Sequence, residues 1–386
     1  MNGADTAWII VATALVLFMT LPGLALFYGG LVRARNVLSV LMQCMAIAAL
    51  MSILWLVAGY SIAFGPATGG WWGGLSKAFL IGVDKDSLFG TIPEILFFAF
   101  QMTFAIITPA LIVGAYVERI GFGFVLGFSS LWMLLVYAPV AHWIWGGGWL
   151  AALGTMDFAG GIVVHETAGL AAIVLALMLG KRRDRARPPH NPGMVMIGAS
   201  MLWVGWFGFN AGSQLSADGG AAMALVVTHI SAAAASLSWA IMEKLRYGKS
   251  SMVGLVTGTI AGLASITPAS GFVGPIEALI IGSIAGVLCQ YAVNLIKERL
   301  KVDDTLDVFA VHGVGGIFGT LMIAVLGRGD WGPQLIALAA VGVFTVVMTF
   351  VIARIVMLFT PLRVTPEEEV EGLDYSAHGE RAYDLT

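Results

Sequence analysis

Residues 158–180 read FAGGIVVHETAGLAAIVLALMLG, an apolar run broken near its middle by one ionisable couple, His165-Glu166. A helix needs about 20 consecutive apolar residues to cross a bilayer, whereas a barrel strand needs only about 9–11 alternating ones. The run therefore predicts a helix whose solvent is lipid, carrying two groups that lipid accommodates only at a cost.

The rest of the chain agrees. Of 386 residues, 59% are hydrophobic and 11% charged, against roughly 45–50% and about 25% in soluble domains. A net charge of −3 leaves no surplus of Lys and Arg to neutralise phosphates, so nucleic acid is excluded as a partner. Cys44 and Cys289 both lie in apolar runs, which argues against a disulfide framework, a thiolate metal site or a redox pair.

Reading outward in both directions gives eleven apolar spans: 7–32, 36–64, 91–115, 121–143, 158–180, 193–213, 220–243, 251–269, 275–297, 304–327 and 333–360. An odd number puts the termini on opposite sides. Arg33, Arg35, Arg119, Lys181, Arg182, Arg183, Arg185, Arg187, Lys244, Arg246, Lys249, Lys297, Arg299, Lys301, Arg363 and Arg381 all fall on one side, sixteen of the twenty basic residues. Lys77, Lys85 and Arg328 fall opposite, and Arg354 sits near the end of the last span. The positive-inside rule then sets the N-terminus outside and the C-terminus in the cytoplasm. The first span carries Asp5 in place of a basic leader region and runs too long for a cleaved signal, so it reads as a retained helix. The 49 glycines fit close helix packing, because small residues let backbones approach in lipid. Between spans lie a Gly- and Trp-rich outer loop at 65–90, an inner basic loop at 181–192 with Pro188, Pro189 and Pro192, and an acidic tail at 363–386. No soluble domain is expected.

Spans five and ten carry related strings, Val164-His165-Glu166-Thr167-Ala168-Gly169 and Val311-His312-Gly313-Val314-Gly315-Gly316. Five spans separate the two histidines, so the helices run in opposite directions and the halves are inverted repeats, about 7–180 and 193–327, with 333–360 as an extra helix. Transporters built on inverted repeats place the substrate path at the repeat interface near mid-membrane. At about 1.5 Å rise per residue, His165 lies roughly 10 Å from the outer end of its span and His312 roughly 12 Å from the inner end of its own. Gly169 and Gly316, one turn beyond each histidine, keep those faces small enough for the imidazoles to meet.

Several residues that could border such a path share the outer side. Trp145 precedes Gly146-Gly147-Gly148, Phe100 and Phe104 stand one turn apart on span three, and Phe209-Asn210-Ala211-Gly212-Ser213 ends span six. Aromatic faces attract a cation, and the Ser213 hydroxyl could accept a hydrogen bond from an N–H donor. Asp157 reads as the cap of span five's outer end.

Together these strings resemble the Amt/Mep/Rh ammonium transporter family over nearly the whole chain. The carriers are Phe27-Tyr28-Gly29-Gly30-Leu31-Val32-Arg33, Asn36-Val37-Leu38, Ala141-His142-Trp143 with Trp145-Gly146-Gly147-Gly148, Asp157-Phe158-Ala159-Gly160-Gly161 with His165, Gly205 to Ser213, and Asp307-Val308-Phe309 with His312-Gly313. The resemblance implies a homotrimer in the cell (inner) membrane with one pore per subunit, residues 1–362 forming the transmembrane domain. It implies an outer ammonium site of Phe100, Phe104, Trp145 and Ser213, a gate of Phe104 and Phe209, and a pore of twin histidines, His165 and His312. Asp157 is similar to the family aspartate needed for activity. The tail 363–386, Pro366 to Glu380 especially, resembles the cytoplasmic segment to which PII-type signalling proteins couple; composition alone would describe it as disordered.

The chemistry fits. Desolvation disfavours the charged form of an amine, so ammonium can give up its proton near an imidazole pair while ammonia crosses an apolar stretch; potassium has no proton to surrender. Net movement of ammonium charge is the expectation by resemblance to bacterial Amt proteins; a neutral ammonia or CO2 channel of Rh type and a non-transporting ammonium sensor are the alternatives. No enzyme, cofactor or metal is expected, because Gly169 stands where an H-E-x-x-H motif needs its second histidine. Two residues depart from the family pattern, Glu166 after the first histidine and His229 in span seven. Their similar depth suggests a buried Glu166–His229 pair, since either alone is an expensive unpaired group.

Overall fold

The computed structural model describes residues 1–66, 69–183 and 188–383; Arg185 and Arg187 of the inner basic loop lie outside them. The chain is all-helical in character, 74% helix. Among the described residues nine helices are long and apolar enough to cross a membrane: α1 Gly3–Leu31, α2 Ala34–Phe64, α3 Glu94–Tyr116, α4 Phe122–Ala152, α5 Gly161–Leu179, α6 Pro192–Gly212, α7 Gly219–Tyr247, α9 Pro275–Arg299 and α11 Trp331–Val356. Two shorter apolar helices, α8 Met252–Ile266 and α10 Phe309–Val325, occupy the other two expected segments.

Their shortness has local causes. Helix α8 stops before the expected residue 269 because Pro268 has no N–H with which to continue the ladder, and Ala269 N–H turns back to Ile266 O at 2.9 Å. Helix α10 starts five residues later than expected. There the Asp304 carboxylate accepts the Phe309 N–H at 2.7 Å, satisfying a donor the helix leaves open.

Helices far apart in the sequence pack against one another. Helix α6 lies on α1, where a Cβ on Gly198 would sit 2.2 Å from the Phe27 nitrogen, and α5 meets α10. The outer loop contains a small hairpin, β1 Leu88–Phe89 against β2 Ile92–Pro93, which stacks Phe89 on Phe97 with ring centroids 3.6 Å apart.

On the opposite side, basic residues expected at the loop surface are buried in a charge network. Glu118 receives Arg33 Nε and Arg182 Nη1, both at 3.0 Å, and Arg182 Nη2 reaches Asp303 at 3.0 Å. Burial alone would raise the Asp303 carboxyl, but the hydrogen bonds and charge of Arg182 outweigh it and hold Asp303 at about 2. The acidic tail is folded onto this network. Two short helices, α12 Pro366–Glu371 and α13 Leu373–His378, are anchored by Glu369 to Arg363 (2.7 Å) and by Leu373 N–H to Asn36 Oδ1 (2.8 Å). Ser39 N–H donates to Asp374 Oδ1 at 2.8 Å.

Candidate functional site

Helices α5 and α10 each carry their histidine inside a π-helical turn, Gly161–Glu166 and Phe309–Gly313. Such single wide turns recur at functional sites. The first is held from outside. Asp157 Oδ1 accepts the N–H groups of Gly160 (2.9 Å) and Gly161 (2.6 Å), and Oδ2 those of Ile162 (2.8 Å) and Val163 (3.0 Å). One carboxylate thus answers four backbone donors that would otherwise be orphaned at the start of α5.

The close approach of α5 and α10 is made by glycine. A Cβ on Gly169 would fall 2.4 Å from the Gly313 Cα, and one on Gly316 would fall 2.5 Å from the Gly161 carbonyl oxygen and 2.7 Å from His165 Cβ. No side chain fits there. With the backbones this near, His165 Nδ1 and His312 Nδ1 stand 3.2 Å apart and the rings 5.2 Å between centroids. Both imidazoles are buried. A hydrogen bond between two ring nitrogens requires one donor and one acceptor, and His165 Nε2 has no partner among the described residues.

From His165 an aromatic column leads outward. Phe209 stacks 6.0 Å from His165, Phe104 lies 4.3 Å from Phe209, and Trp145 meets Phe104 edge-on at 5.9 Å. Trp206 also stacks on His165 at 5.5 Å and lies 5.6 Å from Phe209. Above Phe104 opens a cavity of about 280 Å³ bordered by Phe104, Trp145, Ser213, Gln101, Phe97 and Phe158 among others. Trp145 Nε1 donates to Asp157 O at 2.8 Å, and Ser213 Oγ donates to Phe209 O at 2.8 Å, which leaves the hydroxyl oxygen free to accept. Phe100 is fully buried against Phe104 (5.1 Å) and Gly212, and it is not among the residues that line the cavity.

Sequence reasoning missed Gln101, Phe97 and Trp206. Gln101 had a signal, being an amide in an otherwise apolar span; its Oε1 is buried without a partner among the described residues.

The expected Glu166–His229 pair does not form. Glu166 is buried on α5 with Oε1 lying 3.1 Å from where a Cβ on Gly342 of α11 would be, and its Oε2 has no partner. His229 is exposed on the outer face of α7, 5.1 Å from Trp203 and 6.0 Å from Phe207. Equal depth fixes height along a helix but not the direction a side chain points.

Below His312 a second cavity, about 240 Å³, opens toward the tail side and is bordered by Tyr28, Thr257, Lys297, Asp307, Arg182 and Thr305 among others. Among the described residues no group of three His, Cys, Asp or Glu side chains could hold a metal ion.

The sequence model of the Ammonium Transporter Family matches residues 7–383. The ammonium transporter of Bacillus subtilis is 46% identical, with 99% of each chain covered. Among solved structures, Saccharomyces cerevisiae Mep2 superposes with a TM-score of 0.86 at 36% identity, covering 95% of this chain and 88% of that one. A structure described as a sensor Amt protein gives 0.92 at 30% identity, covering 97% and 98%. The family model spans residues 7–383, and named transporters match almost the whole length of the chain, which leaves one assignment: this chain belongs to the ammonium transporter family.

Proposed function

We propose that the chain recruits ammonium in the outer cavity, removes its proton beneath the Phe104–Phe209 rings, and passes ammonia along His165 and His312 to the tail-side cavity, the proton following. Trp145 and Phe104 offer ring faces to the cation, Ser213 and Gln101 offer oxygens to its N–H groups, and the two phenylalanines exclude water where the charge is given up. The observation that carries this reading is the 3.2 Å separation of the two Nδ1 atoms, set in line with the ring column. In this reading eleven helices span the cell membrane as inverted repeats at 7–180 and 193–327 plus 333–360, with the N-terminus outside and the tail 363–386 inside. The subunit works as one pore of a homotrimer, and the tail is the docking segment for a PII-type signalling protein.

The test is current and radiolabelled methylammonium uptake, measured together in vesicles containing the purified protein, with potassium as control. The wild type is expected to give both signals with ammonium and neither with potassium, and His165→Ala to lose at least about tenfold in rate, equivalent to about 1.4 kcal/mol. Uptake without current would replace charge movement by neutral ammonia passage. Binding without uptake would defeat the transport reading.

A further inference from the structure

The tail-side cavity contains an ammonium group that belongs to the protein. Lys297 Nζ sits 2.7 Å from Asp307 Oδ2 and 3.4 Å from the Thr305 carbonyl oxygen, and all three residues border the cavity that begins at His312. A carboxylate and a carbonyl converging on one nitrogen with three N–H groups make a charge-assisted hydrogen-bonding seat.

This pair differs from its neighbours. The carboxylates of Glu118 and Asp303 are sealed, with side chains 2% and 4% exposed, and their arginine partners tie loops together. Lys297 and Asp307 keep 35% and 20% of their side chains open. Asp307 holds a left-handed backbone, φ 62°, but so does Glu118 at φ 72°, so it is the openness of the Lys297–Asp307 pair that sets it apart.

We propose that Asp307 with the Thr305 carbonyl is an ammonium-binding site at the inner end of the path, occupied in the resting protein by Lys297 as a tethered competitor. The inference rests on the transport reading given above. A lysine side chain presents the same N–H donors and charge as the transported ion, and its flexible stem lets it leave and return. Short tethers give effective concentrations in about the millimolar range, so ammonium arriving from the tail side must compete with Lys297 before it can enter. Ammonium leaving from His312 meets the same carboxylate and displaces the lysine on its way out. The inner mouth therefore takes up its substrate less readily than the outer mouth does.

The experiment uses the full-length protein in vesicles sorted by orientation, with radiolabelled methylammonium presented to either face. The quantity read is the ratio of the half-saturating concentration at the tail-side face to that at the opposite face. Lys297→Met is expected to lower that ratio at least fivefold, and Lys297→Gln, which keeps a polar stem should the first variant fold poorly, to lower it similarly. Lys297→Arg retains the charge and should stay near the wild type, while Lys297→Met with Asp307→Asn should return the ratio to the wild-type value or above. An unchanged ratio in the Met or Gln variant overturns the proposal, as does a lowered ratio that persists without the carboxylate. Absence of methylammonium flux in the wild type would instead defeat the transport reading.

Discussion

The two cavities flanking the histidine pair are built from opposite materials. No residue named on the wall of the outer cavity carries a charge, and its attraction for a cation comes from ring faces and two side-chain oxygens. The inner cavity has Lys297, Asp307 and Arg182 on its wall, each already matched by an opposite charge. An uncharged aromatic mouth can concentrate a cation without holding it tightly. A charged mouth whose charges are paired offers binding only to something that breaks a pair.

The largest break in this contrast should come from Asp157, which supports the outer end of α5. Asp157→Ala would orphan four buried N–H groups, and unsatisfied donors cost about 1–3 kcal/mol each before relaxation. A loss of about 3 kcal/mol in stability is expected, read as a drop of many degrees in thermal unfolding in detergent. A melting point within a degree or two of the wild type would show that the carboxylate is not what holds the π turn.

Acid should then separate the mouths. Asp303 is held at about 2 by Arg182 against the opposing effect of burial, below its unfolded value of about 3.9. Its contribution is thus fully present above about pH 4 and is lost as pH falls toward 2. The Asp303 side chain is sealed but Arg182 is partly open, and screening through the arginine leaves about 1–2 kcal/mol. Proteolysis of the tail should accelerate in that window while the fluorescence of Trp145 at the outer mouth holds steady. Equal sensitivity at both ends would mean the inner pairs contribute nothing distinctive.

Trp145→Leu removes one ring face from the outer mouth. Cation–π attraction of about 1 kcal/mol predicts roughly a fivefold rise in half-saturating methylammonium at that face. The smallest effect belongs to Glu166 and His229. They face different helices, so Glu166→Gln and His229→Asn should add to within about 0.5 kcal/mol in a double-mutant cycle. A larger coupling would restore the pairing that the coordinates do not show.

Helix placement was legible because lipid imposes a length and an apolar content that composition alone reveals. The ends were less so. Pro268 stops α8 and Asp304 delays α10, and both act by satisfying or removing single hydrogen bonds within an otherwise apolar run. The histidine couple could be read from a repeated string, since V-H-x-x-small-G at corresponding positions implies two helices meeting. What one sequence does not encode is rotation about a helix axis, and that is where the pairing of Glu166 with His229 went astray. The basic residues Arg33, Arg119 and Arg182 were read as loop charges, yet Arg33 and Arg119 are buried, and Arg33 and Arg182 share Glu118 rather than spreading along a lipid surface. Charge counting records sign and side but not partners.

One contact limits how this molecule can move. With Gly169 seated on the Gly313 backbone and Gly316 on Gly161, α5 and α10 are riveted at the level of the histidine pair, and close-packed interiors resist shear. Parting them to admit substrate would strip atoms from contact along the whole seam. Rotation of single rings such as Phe104 and Phe209 asks for far less. In the proposed transport cycle, passage is therefore gated at the scale of a side chain, and its pace is that of a leaky door rather than a rocking cradle.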